Sequence, residues 1–280
     1  MNTYTKNLPG TLTAKKYLGI FRIKFLNTIQ YRAAAAAGVV TQFAWGAMEI
    51  LLFKSFYSVS TNAMPMEFSQ LATYEWLQQA FLSLFMLWIW DSDIENAIIK
   101  GDIAYELTRP TDIYSMWYIR SAAQRIAKAL LRCLPILLIC SLIPEPYRIS
   151  PPVSVPAFFM FILTSAIGLC VVVATSMIVY GLTFFTMSER GIKIFAASIS
   201  EFLSGAVVPI PFFPKRIRTI AEFTPFAAVQ NLPLQIYIGT ISGKKMLLMT
   251  AVQIFWLIVF VVIGRLLIGK MQKNAVIQGG

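Results

Sequence analysis

The chain has 280 residues, of which 57% are hydrophobic and only 13% charged, with a net charge of +11 and no histidine. That composition excludes an ordinary water-soluble domain and places the chain in a bilayer. Without histidine the usual general base and the commonest metal ligand are missing, and Cys133, Cys140 and Cys170 show no CxxC or Cys/His spacing. No catalytic residue, metal site or disulfide is therefore expected.

A hydrocarbon core of roughly 30 Å needs about 20 apolar residues per helical span. Six windows meet that need: 34–56, 71–90, 121–143, 155–180, 192–210 and 246–269. They are too long and too evenly apolar for barrel strands. The expectation is one all-α integral membrane domain over 1–280 with six transmembrane helices. The first 30 residues hold no short apolar core followed by a small-residue cleavage site, so no cleavable leader is expected. With both termini on the cytoplasmic side, the inner segments carry 17 Lys/Arg and the outer ones seven. That bias fits the positive-inside rule and explains the basic charge without nucleic acid. Five of the outer seven (Lys215, Arg216, Arg218, Lys244 and Lys245) crowd one loop and run against the rule.

Residues 11–32 read as a basic interfacial helix. Leu18, Phe21, Phe25 and Ile29 form one stripe, and Lys15, Lys16, Arg22, Lys24 and Arg32 suit anionic headgroups. The first span opens on the small residues Ala33–Ala37, which favour close helix packing, and carries Glu49 toward its outer end. The second ends in Trp88 and Trp90, side chains that prefer the membrane interface.

The stretch 91–112 then holds six of the chain's 13 acidic residues: Asp91, Asp93, Glu95, Asp102, Glu106 and Asp112. So charged a segment faces water between spans. Ile94, Ala97, Ile98, Ile103 and Leu107 fall at helical spacing, Gly101 breaks the helix, Asp102 can cap a second one, and Arg109-Pro110 stops it. Two short helices around a glycine predict a compact knob on the cytoplasmic side.

The third span begins with Arg120, Arg125, Lys128 and Arg132, the last about 16 Å from its outer end. The fifth holds Glu201 at similar depth, roughly 14 Å from its outer end. Ionisable residues so deep mark functional sites, which makes Arg132, Glu201 and Glu49 candidates for an intramembrane ion pair or pathway. Separate contacts with water or headgroups are the alternative. Residues 209–240 are moderately apolar but broken by prolines. Broken backbone at membrane depth survives only when buried in protein or lining a cavity, so a re-entrant or interfacial outer hairpin is expected there.

The order of these elements resembles the transmembrane permease subunit of bacterial ABC type 2 exporters. Gly101-x-Ile103-x-x-x-Leu107-x-Arg109-Pro110-x-Asp112 matches a pattern of one permease subgroup, as do LSGAVVPIPFFP (203–214) and TPFAAVQNLPLQIYIG (224–239). The resemblance implies a multi-pass protein of the bacterial plasma membrane that forms a substrate pathway with a second permease subunit, identical or related. Separate ATPase subunits would supply ATP and magnesium, since this chain has no GxxxxGK[ST]. Ile94, Ile98, Asp102, Leu107, Arg109 and Asp112 would dock the ATPase. Pro209, Phe212, Phe213, Pro214 and Pro225 would belong to an outer gate, and the cargo would be hydrophobic or amphipathic.

Two rival readings compete. Asp91-Ser-Asp93-Ile-Glu95 is faintly like the acidic clusters of membrane prenyltransferases, but the other inner loop offers only Glu189 as a second cluster. A secondary transporter or channel could use Glu49, Glu201 and Arg132, although no inverted repeat is evident.

Overall fold

The computed structural model describes residues 10–59, 64–108, 111–186 and 189–274. Arg109 and Pro110 lie outside them. The described residues form helices and connecting turns, without a strand. The long helices are α2 (Arg32–Val59), α3 (Phe68–Phe85), α6 (Ile113–Ser141), α7 (Val155–Thr186), α8 (Glu189–Ser204) and α12 (Gly243–Asn274). Each overlaps one of the six apolar windows. By length and composition, α2, α7 and α12 are the helices able to cross a membrane. Their large apolar side chains, among them Leu51, Phe159 and Phe255, face outward. Exposed apolar surface on this scale is unfavourable in water and suits lipid.

The remaining elements, the 20-residue α1 among them, complete the chain. α1 (Gly10–Ile29) precedes α2, α4 (Ser92–Ile99) and α5 (Ile103–Leu107) form the knob, and α9 (Lys215–Glu222), α10 (Pro225–Val229) and α11 (Asn231–Tyr237) precede α12. α7 is the central post: α12 runs along it, while α3, α6, α10 and α11 pack around it. Its buried face, including Val171, Val173, Ala174 and Met177, joins Tyr74, Leu77, Trp117 and Leu234 in the main core. α1 lies along α6.

Two of the expected spans end early. The second window runs to 90, but α3 stops at Phe85 and residues 86–91 are irregular. No glycine or proline marks this break. Its cause lies elsewhere in the chain, because the fully buried Arg125 guanidinium donates to the Met86 carbonyl, to the Ile89 carbonyl at 2.9 Å and to the Ser176 hydroxyl at 3.3 Å. Gln124 donates to the Trp90 carbonyl at 3.2 Å. The orphaned carbonyls of a helix end are thus met by side chains of α6. The fifth window runs to 210, but α8 ends at Ser204 in a left-handed Gly205 (φ 79°). Gly205 N–H donates to the Phe202 carbonyl and Ala206 N–H to the Glu201 carbonyl, which is a Schellman cap. With 16 residues α8 rises roughly 24 Å.

Between α8 and α12 the prolines act at helix starts, where their missing N–H costs nothing. Pro209 precedes a short 3-10 turn (Ile210–Phe212), Pro214 precedes α9, and Pro225 opens α10. Phe212 packs on Phe53 with ring centroids 5.1 Å apart, and Phe213 stacks on Phe202 at 5.4 Å. α10 and α11 are almost wholly buried, so their interrupted backbone needs partners. Gln253 donates to the Thr164 and Ala228 carbonyls at 2.8 and 2.7 Å. Gln230 donates to Gln78 at 2.7 Å, and Gln78 in turn to the Ala206 carbonyl at 2.8 Å. A buried amide network therefore holds the broken segment against α3, α7 and α12.

Glu222 ties the end of α9 to the start of α12, accepting from Arg218 Nε at 2.9 Å and from Lys245 Nζ at 2.9 Å. Burial raises this carboxyl, but the two cations outweigh it and hold Glu222 below the ordinary carboxylate range. A depressed folded value means the clamp contributes fully above the unfolded value of about 4 and fades as pH falls through the folded one. Hydrogen exchange in α9 should therefore accelerate below about pH 4 in the wild type. Glu222→Gln should exchange fast at neutral pH and show no such acid step; a retained acid step would refute the assignment.

Candidate functional site

The knob is built as two helices around a left-handed Gly101 (φ 77°), a conformation that β-carbon sterics reserve largely for glycine. α4 starts on Asp91, whose side chain accepts the Asp93 N–H. Asp102 occupies the N-cap position of α5 but its side chain makes no capping bond. Asp112 caps α6 instead, accepting from Ser115 N–H at 2.9 Å and from its hydroxyl at 2.6 Å.

The apolar stripe faces inward. Ile94 (0% exposed) and Ile98 (4%) belong to the main core, and Leu107 packs against it half-buried. This corrects the expectation that Ile94 and Ile98 offer themselves to a partner: they seat the knob on α7. Helical spacing identifies a buried face, and here the bundle itself covers it. The apolar side chains that the knob presents to solvent are Tyr105 (74% exposed) and Ile99 (46%), with Lys100 and Asp102 exposed beside them. Sequence reasoning missed both, because they lie off the stripe.

Three of the six carboxylates at 91–112, those of Asp91, Glu95 and Glu106, also point inward, while Asp93 is exposed. Asp91, with no side-chain exposure, accepts from Lys24 Nζ of α1 at 2.8 Å and lies 3.4 Å from Arg120 Nε of α6. Asp93 meets Lys24 at 3.1 Å and Arg120 at 2.9 Å. Glu106 pairs with Arg120 at 3.3 Å and accepts from the Trp117 indole. Glu95 pairs with Lys193 of α8. The Asp91 N–H donates to the Tyr180 hydroxyl of α7 at 2.8 Å. Burial raises the Asp93 carboxyl, but Lys24 and Arg120 together hold it below the ordinary range. α1, α6, α7 and α8 are thus riveted to one short segment.

Above the knob, a cavity of about 600 Å³ opens between α2, α3, α6 and α8. The three ionisable residues singled out in the sequence, Glu49, Arg132 and Glu201, all line it, with Gln42 and Gln79 among its polar neighbours and Trp45 among its apolar ones. Arg132 and Glu201 share this wall without an ion pair between them among the described residues. The Arg132 guanidinium instead lies against Gly38 of α2, where an added β-carbon would come within 2.7 Å of its Cζ. Glu49 accepts from Gln79 Nε2 at 3.1 Å. Glu75, one turn before Gln79 on α3, is only 2% exposed. Glu75 went unremarked in the sequence, although an acid inside an apolar window is itself the signal. Of the outer residues, Pro209, Phe212, Phe213, Pro214 and Pro225 gather where the 3-10 turn meets α9 and α10.

Breaking a buried pair by removing one partner leaves an uncompensated charge and costs about 3–5 kcal/mol. Asp91→Ala leaves Lys24 only the more exposed Asp93 and also removes the α4 cap, so the unfolding midpoint in detergent should drop accordingly. Asp102→Ala, at an exposed position with no side-chain bond, should change stability by no more than about 0.5 kcal/mol. Equal effects of the two substitutions would contradict the network's central place.

Two comparisons bear on the architecture. No curated protein matches the sequence. Residues 43–274, which hold the cavity, the knob and the broken segment, match the family model described as ABC-2 family transporter protein. The chain is a helical membrane subunit of a transporter, and it belongs to the ABC-2 family.

Proposed function

We propose that the chain is the permease subunit of an ATP-driven exporter, pairing with a second permease and moving a hydrophobic or amphipathic compound outward. Family membership supports an ABC permease. In this reading α2, α3, α6, α7, α8 and α12 are six spans, both termini face the cytoplasm, and the chain sits in a bacterial plasma membrane. α1 lies at the inner interface with the knob. The prolines of 209–240, with Phe212 and Phe213, border an outer gate.

One observation carries the coupling role: the knob is anchored by ion pairs to α1, α6 and α8 and by its N–H to α7, while Ile99 and Tyr105 stay uncovered. A soluble ATPase that grips the uncovered face would move the knob as a rigid body. Its ATP and magnesium would remain on the partner, and the ion pairs, with the bond to Tyr180, would pass the displacement into α1, α6, α7 and α8 at once. An aromatic and an aliphatic anchor beside charged neighbours is the composition of an interface hot spot. Asp102 belongs to this exposed face; Ile94, Ile98 and Leu107 support it from behind.

A secondary transporter is the second reading, favoured by the two acids, Glu49 and Glu201, that line the cavity. Energy source separates the two, since a gradient-driven carrier moves cargo without ATP hydrolysis. The prenyltransferase-type reading finds no support in the acidic run, where Asp91, Asp93 and Glu95 are each held by a lysine or arginine.

Tyr105→Ala combined with Ile99→Asp should leave the chain inserted and folded yet lower the co-purifying ATPase about tenfold or more. ATP-dependent transport should fall with it. Ile98→Asp should act differently, lowering the yield of folded chain by burying a charge. Undiminished ATPase content and transport in the Tyr105/Ile99 variant would overturn the docking face.

A further inference from the structure

A second pocket, of about 620 Å³, lies beside the knob where α1 hands over to α2. Lys24, Lys128 and Arg132 line it, with Asn27, Tyr31 and Gln124 as neighbours and Asp93 as its acid. Asp93 and Lys24 are occupied with each other and with Arg120. Lys128 and Arg132 are not: neither makes a hydrogen bond or ion pair among the described residues, and the buried Arg132 Nε has no acceptor. They stand one helical turn apart on α6, so two cations face one pocket with no acid paired to either.

Like charges at this spacing repel, and cations in a partly buried site are costly unless something neutralises them. Among the described residues no acid lies within ion-pair distance of either; Asp91 and Asp93, the acids nearby, are taken by Lys24 and Arg120. The required ligand is an anion compact enough to take both cations, with oxygens to accept from an arginine fork and an ammonium. Phosphate meets that description.

Arg132 also lines the 600 Å³ cavity above, where Trp45, Leu82, Met86 and Val207 supply an apolar wall. Gln42, only 5% exposed, lines that cavity too, and neither its Nε2 nor its Oε1 has a partner. A ligand whose phosphate sits between Lys128 and Arg132 would extend an apolar body past Arg132 and give the Gln42 amide an ester or hydroxyl.

We infer that the two cavities together form a binding site for a phosphate-bearing amphipath, with Lys128 and Arg132 holding the phosphate. The source of that chemistry is either a phospholipid of the inner leaflet or a soluble phosphorylated compound. The inference concerns binding and stands whether or not transport is ATP-driven.

The test uses the purified full chain in detergent micelles, with bound lipid counted by native mass spectrometry. Wild-type protein should bind phosphatidylglycerol saturably and bind diacylglycerol, which lacks the phosphate, at least about tenfold more weakly. Lys128→Gln/Arg132→Gln should lose phosphatidylglycerol by about tenfold or more, while Arg216→Gln, exposed on α9 outside both pockets, should stay within about twofold. The conservative Lys128→Arg should retain binding, and an unchanged unfolding midpoint shows that the loss is not misfolding. If the double variant fails to fold, Lys128→Gln alone carries the comparison. Glycerol 3-phosphate is the second arm: displacement of the lipid by it identifies a site open to soluble phosphates, and lipid binding without displacement identifies the membrane as the source. Equal phosphatidylglycerol binding by wild type and variants, or equal binding of diacylglycerol, would overturn the inference.

Discussion

Everything in this chain hangs on the need to neutralise charge next to lipid. Asp91 has no solvent of its own, and the charges that reach it are those of Lys24 and Arg120. The same two cations serve Asp93, and Arg120 continues to Glu106. Removing Arg120 would leave Glu106 without a cation and Asp91 and Asp93 with Lys24 alone, which is why helices distant in sequence must meet at this point. A charged island that sequence alone suggests is a surface for another protein is first of all the fastening of the protein to itself. Function is then left to whatever the fastening does not use, the outward faces of Ile99, Lys100, Asp102 and Tyr105.

A second constraint is the backbone. Two stretches leave helical geometry within the bundle, 86–91 and 205–214. Their polar groups cannot be left to lipid. Arg125 and Gln124 answer the first, Gln78 and the Gly205 cap the second. These side chains are buried and hydrogen-bonded, so their polarity serves the chain's own backbone. Gln42 and Arg132 differ, because their polar atoms face cavities and meet no protein partner. That difference separates scaffolding polarity from polarity available to a ligand.

Much of this was legible in the sequence. Apolar run length located every long helix, the Gly101 break and the short knob helices, and ionisable residues in apolar windows gathered Glu49, Arg132 and Glu201 around one cavity. What escaped was determined by partners rather than by local pattern. The end of α3 depends on Arg125, 39 residues away from Met86. The direction of the α4 stripe depends on α7, so Ile98 read as an outward anchor and is an inward one. The expected Arg132–Glu201 pair fails because Gly38 leaves room for the guanidinium to lie on α2. Spacing reports that a face is apolar or a residue deep; it does not report what covers it.

The bond from Lys24 to Asp91 spans 67 residues of sequence. During synthesis at roughly 5–20 residues per second, Asp91 emerges some 3–13 s after Lys24. Arg120, which completes the network, comes later still. Over that interval Lys24 lacks both of its acids, Asp91 and Asp93, and the anionic headgroups of the membrane are the partners at hand. Assembly therefore has a built-in order. The first helix made is among the last to be seated, and its docking reports that the knob and α6 have both arrived.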